Sequence, residues 1–278
     1  MFKSKKFVIG YAIAVFAVVF LITFVSVCSI AQFEVTYEIR GMHAAAESIQ
    51  TRLDEEYRGK SYLFFKRADA AAVVAEESGG YMEVTAFSKR FPNKVILSVR
   101  EKPEVFSFGV EENGHMRYVV VADDGTVLAV REEGGAGVKI AGFTFAVPAA
   151  GSAFSVTAEQ APAYEALRTV FSVAEEKLGS FRGNVTAVTY RNDFAGLAYS
   201  ASLFVLEMKE GVRVWIQQPE TNTEAKVRAA LGVYLGELTK ADGTPISDEE
   251  RTYGSIVVYA SGTAVYTERE TPGFASAA

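Results

Sequence analysis

The run from Phe7 to Ala31 holds 25 residues without a single charged side chain, and nothing else in the sequence limits the chain as sharply. At roughly 1.5 Å per helical residue it exceeds a hydrocarbon core of about 30 Å, so the sequence predicts a transmembrane helix over residues 7–31. Lys3, Lys5 and Lys6 precede it and Glu34 follows. The positive-inside bias then makes residues 1–6 a cytoplasmic tail and places the bulk of the chain outside the cell. Two other readings compete. Ser29-Ile30-Ala31 carries small residues where a signal peptidase cuts, yet the run is longer than a signal core of about 7 to 15 residues. A lipidated Cys28 calls for a small residue before it, and Val27 is bulky.

The chain has 278 residues, 49% of them hydrophobic and 22% charged, which suffices for a substantial core. Its net charge of -6 argues against nucleic acid, whose phosphates require a basic footprint. Beyond the three tail lysines, 25 basic residues face 34 acidic ones, so the outer part as a whole is not built for adhesion to lipid head groups. One Cys and two His exclude an internal disulfide and leave too few ligands for a structural zinc site.

Periodicity outlines the rest. Phe33, Val35, Tyr37 and Ile39 alternate as in a half-buried strand, and Ala46, Ile49, Leu53 and Tyr57 trace a helical face that Gly59 ends. Asp69 is placed to cap a second helix over Ala70–Glu77, stopped by Gly79-Gly80. Tyr81–Ser88 and Lys94–Arg100 read as a hairpin turned by Phe91-Pro92-Asn93. Past Pro103 strands dominate: Tyr118–Ala122 and Val127–Val130 flank Asp123-Asp124-Gly125-Thr126, and Leu197–Met208 and Val212–Gln217 flank Glu210-Gly211. Thr157 with Gln160 suggests a capping box before a helix through Tyr164, Leu167, Phe171, Ala174 and Leu178. A second helix is expected from Asn222 or Thr223 to Lys240, then a last strand over Ser255–Thr267 and a frayed end at Ala275–Ala278.

Chemistry-bearing motifs are sparse. Gly59-Lys60-Ser61 looks like the end of a phosphate loop, but Asp54 stands where the first glycine belongs. There is no G-x-S-x-G elbow, and His43 and His115 sit in no ligand or triad spacing. Acidic doublets and triplets such as Asp54-Glu55-Glu56, Glu175-Glu176 and Asp248-Glu249-Glu250 supply carboxylates for glycoside chemistry without fixing their separation. The sequence therefore implies no catalytic residue, cofactor or metal. Its last strand is the stronger candidate: Gly254-Ser255-Ile256-Val257-Val258-Tyr259 runs on to Ala264-Val265-Tyr266 with few charges, and the pattern fits equally an edge strand, which accepts an added strand from another protein, and a central or self-capped strand, which does not. The expected contact residues are Ser255, Val257, Val258, Tyr259, Ser261, Gly262, Ala264 and Val265, with Tyr259 as an aromatic anchor and Gly262 allowing close backbone approach.

In motif order the sequence resembles the FtsQ/DivIB family of bacterial cell-division proteins over nearly the whole chain. Phe91-Pro92-Asn93-Lys94-Val95 followed by Val99-Arg100-Glu101-Lys102-Pro103-Glu104-Val105 is similar to that family's "PN-x-L … E-R-x-P-V" stretch. Tyr118 to Leu128 is similar to its "Y-x-x-I-D-x-x-G-x-V-L" segment, and Tyr259 to Val265 to its final strand. Departures are a very short tail, Met42 where the family often has Asn, and Lys102 and Glu104 in the exit motif.

The resemblance implies an α+β protein: an N-terminal transmembrane helix, a small POTRA domain (β-α-α-β-β) over residues 32–103, then a mostly antiparallel β domain with two packed helices over 104–270. Residues 271–278 would form a flexible tail. It implies a non-catalytic scaffold, single-pass in the cell membrane at the division septum. Its partners would be small FtsB/DivIC-like and FtsL-like bitopic proteins, bound through the C-terminal edge strand. The alternatives are an anchored cell-wall enzyme using clustered carboxylates, and a POTRA-type export chaperone, although no barrel-forming tail follows.

Overall fold

The computed structural model describes residues 5–112, 114–192 and 202–272, and the chain divides into two compact units, Met1–Lys102 and Pro103–Ala278. The first opens with helix α1 (Lys5–Val27). Here one expectation is corrected: among the described residues no helix is long and apolar enough to cross a membrane. The uncharged run is shared between two environments. α1 stops at Val27, and Cys28 to Ala31 join the folded unit, with Cys28 and Ile30 buried. Tyr62 N–H donates to the Cys28 carbonyl and Ile30 N–H to that of Lys60, both at 2.8 Å, while Ala31 N–H reaches the Asn93 carbonyl at 2.9 Å. Cys28 and Ile30 are apolar because they are buried in protein, which a hydropathy run does not distinguish from lipid. Of the expected tail, residues 1–4 lie outside the described residues, and Lys5 and Lys6 already belong to α1.

Then come β1 (Gln32–Glu38), α2 (His43–Tyr57), α3 (Arg67–Glu77), β2 (Met82–Arg90) and β3 (Lys94–Glu101). The strand, helix, helix, strand, strand order makes a three-stranded sheet, β1-β3-β2, with β3 central, parallel to β1 and antiparallel to β2. Ile49 and Leu53 of α2 and Val73 and Val74 of α3 pack on Val95, Leu97 and Val99 of β3. α3 begins three residues before its expected start: Asp69 lies inside the first turn and its carboxylate accepts the Lys66 N–H at 2.7 Å, a reach back from N3.

The second unit is built on one nine-stranded sheet. It contains β4 (Phe106–Glu112), β5 (His115–Val121), β6 (Val127–Arg131), β7 (Val138–Ala141), α4 (Ala161–Leu178), the short α5 (Phe181–Asn184), β8 (Val185–Arg191), β9 (Leu203–Met208), β10 (Arg213–Gln217), α6 (Thr223–Tyr234), β11 (Ser255–Val258) and β12 (Ala264–Thr267). The strand order is β12-β11-β10-β9-β8-β7-β4-β5-β6. The sheet is mixed: five of its eight pairings are antiparallel, as expected of a mostly antiparallel domain, and β4–β7, β7–β8 and β10–β11 are parallel. The reason lies in the connections. α4 and α6 each stand between two neighbouring strands, and a helical crossover returns the chain parallel where a tight turn would reverse it.

The core beneath is aromatic: Phe108 stacks on Phe154 with centroids 4.2 Å apart, and Phe143 on Tyr190 at 5.1 Å. Two local readings change. Thr157 makes no capping bond; instead the Gln160 amide accepts the Thr144 N–H at 2.6 Å and donates to the Gly142 carbonyl at 3.1 Å. α6 ends at Tyr234, six residues before Lys240, because Gly236 turns the chain at φ +73°. Residues 197–201 of the expected strand before Met208, and Ala275–Ala278, lie outside the described residues.

Candidate partner-binding edge

The expected single strand over Ser255–Thr267 is a hairpin. β11 and β12 pair antiparallel, Val257 opposite Val265 and Val258 opposite Ala264. The turn is closed by Tyr259 N–H to the Thr263 carbonyl at 3.0 Å and Gly262 N–H to the Tyr259 carbonyl at 2.8 Å. Gly262 has φ +93°, and a Cβ there would meet nothing within 4 Å, so this glycine serves the turn's left-handed backbone and no close approach. The Ser261-Gly262 pair is a turn signal that could have divided the strand from sequence.

The hairpin separates the eight expected contact residues. Ser255, Val257 and Val258 lie in β11, buried and paired on both sides, with β10 parallel and β12 antiparallel. Tyr259, Ser261 and Gly262 form the turn, and Tyr259 is 43% exposed. Only Ala264 and Val265 lie on β12, whose sole strand neighbour among the described residues is β11.

The alternation of an antiparallel ladder decides which backbone groups that edge offers. Because Tyr259 and Thr263 form a hydrogen-bonded pair, Val257/Val265 and Ser255/Thr267 do too, and the N–H and C=O of Ala264 and Tyr266 turn away from β11. By the same alternation the Val258 N–H points at β10. Tyr266, absent from the expected contacts, thus belongs to the edge.

Several groups hold the hairpin in place. The Ser255 hydroxyl accepts from Trp215 Nε1 at 3.0 Å and donates to the Glu270 carbonyl at 2.8 Å, fixing the Ser255–Thr267 end of the β11–β12 ladder to β10. Lys226 of α6 is buried, and its Nζ donates to the carbonyls of Gln217 and Gln218 at 2.9 and 2.8 Å. Desolvation lowers the Lys226 pKa, opposed by the nearby Glu220 carboxylate. Gln217 in turn accepts the Ala260 N–H on Oε1 at 3.2 Å, so α6, the end of β10 and the hairpin turn form one connected support. A lysine inside an apolar helical face offered no sequence signal of this role.

No protein-family model matches this chain, and neither does any curated protein.

Away from this edge, Glu176 and Glu224 are held by one arginine. A groove of about 610 Å³ along α4 and α6 is lined by Asp123, Glu165, Glu176, Glu224, Arg168 and Arg228. Arg228 donates to Glu176 at 2.7 Å and to Glu224 at 2.9 Å. That bond holds the Glu176 carboxyl below its ordinary pKa, the wrong direction for a general acid. His43 opens α2 and His115 opens β5. Among the described residues no group of three or more His, Cys, Asp or Glu is placed to hold a metal ion.

Proposed function

We propose that this protein is a non-catalytic scaffold of the bacterial division machinery, of the kind its motifs resemble in the FtsQ/DivIB family. It binds FtsB/DivIC-like and FtsL-like bitopic proteins by adding a strand to β12 and so helps assemble or regulate septal peptidoglycan synthesis. The reading includes a place at the cell membrane of the septum, with the two folded units on the outer side. What carries it is the outward set of backbone groups on β12: Ala264 and Tyr266 face away from β11 on a strand with one strand neighbour among the described residues. Such a row is a template for β-augmentation, in which main-chain bonds supply affinity and alternate side chains supply selectivity.

The test uses Ala264→Pro. Proline removes the outward N–H and no bond of the β11–β12 ladder, the one position type where a strand tolerates it. Wild-type protein and Ala264→Pro are used as baits on detergent-solubilised native membranes, and the captured proteins are identified by mass spectrometry. Recovery of a small bitopic coiled-coil division protein by wild type, reduced at least tenfold with a folded Ala264→Pro bait, is the expected result. Equal recovery by both baits would move binding off β12, and absence of any such protein would overturn the scaffold reading.

A further inference from the structure

We infer that one end of the first unit docks on an anionic phospholipid surface. Leu63 and Phe64 in the α2–α3 connection are 53% and 79% exposed, and Phe91 in the β2–β3 turn is 73% exposed. Their exposure does not reflect a loose loop. The flanking Tyr62 and Phe65 are buried, Phe65 packing edge-on against Phe33 at 5.4 Å and Tyr57 at 4.8 Å, which leaves Leu63 and Phe64 turned outward. Lys89 Nζ donates to the carbonyls of Tyr62 at 2.7 Å and Leu63 at 3.1 Å, so the connection is tied to the end of β2 beside Phe91. The three apolar side chains therefore share one end of the unit.

The two segments that carry them hold charge of one sign. Residues 58–67 and 87–94 contain seven Lys or Arg and no Asp or Glu, in a chain of net charge -6. Lys60, Lys66 and Arg90 are exposed. The nearby carboxylates are committed: Glu34 pairs with Lys94, Asp54 lies 3.7 Å from Arg58, and Asp69 accepts the Lys66 N–H. Screening over about 8–10 Å at physiological salt makes this local field count more than the acidic whole. The sequence-wide argument against head-group adhesion thus fails at this end.

Exposed Leu and Phe among Lys and Arg is the composition that enters the boundary between acyl chains and anionic head groups. α1, with Phe16 and Phe20 exposed, leaves from the same end, because Cys28 and Ile30 bond to Tyr62 and Lys60. This surface is separate from β12 and does not depend on it.

The full-length chain carrying Phe64→Trp is mixed with vesicles of brominated phosphatidylcholine, with or without phosphatidylglycerol. The new indole is expected to shift to the blue and to be quenched several-fold more on anionic than on neutral vesicles. High salt, or Lys60→Glu with Arg90→Glu in the same background, should abolish the difference, and Trp215 of the wild type should stay unquenched. Equal quenching on both vesicle types, or none on either, overturns the inference, as does shielding of the indole only by an added protein.

Discussion

β12 and β6 end the same nine-stranded sheet, one at each side, and they are finished in opposite ways. The outward groups of Val127 at the head of β6 are taken by a loop: its N–H donates to the Ser152 carbonyl and its carbonyl accepts from Gly151, both at 2.8 Å. Arg131 at the tail of β6 is held by Glu104. β12 has β11 on one side and no second strand among the described residues, yet its other supports are dense: Ser255, Trp215, Lys226 and Gln217 fix the strand beside it. The proposed strand addition draws on this difference, because a fixed row of donors and acceptors would bind an incoming strand without first being ordered.

The largest break in this comparison comes from Val258→Pro. Val258 sits between two strands with its N–H directed at β10, so the ring removes an interior bond, and about 3 kcal/mol or more of stability is expected to be lost in urea unfolding. Near-wild-type stability would put β11, not β12, at the edge. Lys226→Met leaves the Gln217 and Gln218 carbonyls without their buried donor; a loss of about 2 kcal/mol and faster amide exchange at Ala260 are expected. Gly151 has φ +80°, so Gly151→Val should cost about 1–2 kcal/mol and speed exchange at Val127, making β6 resemble β12.

The sheet's middle has its own signature in pH. Burial, with Glu220 beside it, pushes the Tyr190 phenol up to about 12, and burial does the same to Tyr234, from an ordinary 10.0. A raised folded-state pKa contributes stability that is complete below pH 10 and disappears as pH rises towards 12, so each phenol should subtract about 1 kcal/mol by pH 11. Urea midpoints at pH 9 and 11 check this, and Tyr190→Phe should flatten the difference. The smallest effect belongs to Ala264→Pro, less than about 0.5 kcal/mol, since its N–H faces away from the ladder.

Much of this architecture was legible because periodicity reports which face of an element is buried. Ala46, Ile49 and Leu53 in α2, Tyr164, Leu167 and Ala174 in α4, and Val212, Val214 and Ile216 around β10 are all core residues, as their spacing says. Where the reading departed, a local signal met a tertiary competitor. Gln160 spans Thr144 and Gly142 rather than capping a helix with Thr157, and Cys28 and Ile30 are buried in the folded unit rather than continuing a helix.

The candidate edge divides the same way. That the chain's end is apolar, rich in β-formers and nearly free of charge follows from residues alone, as does the turn capacity of Ser261-Gly262. Which of its backbone groups face outward depends on pairing. The α6 crossover lays β11 parallel to β10, the turn folds β12 back beyond it, and ladder alternation then directs Val258 inward and Ala264 and Tyr266 outward. Side-chain pattern is a property of one strand and can be read from one segment. Hydrogen-bond direction is a property of two strands and is decided only when distant segments meet.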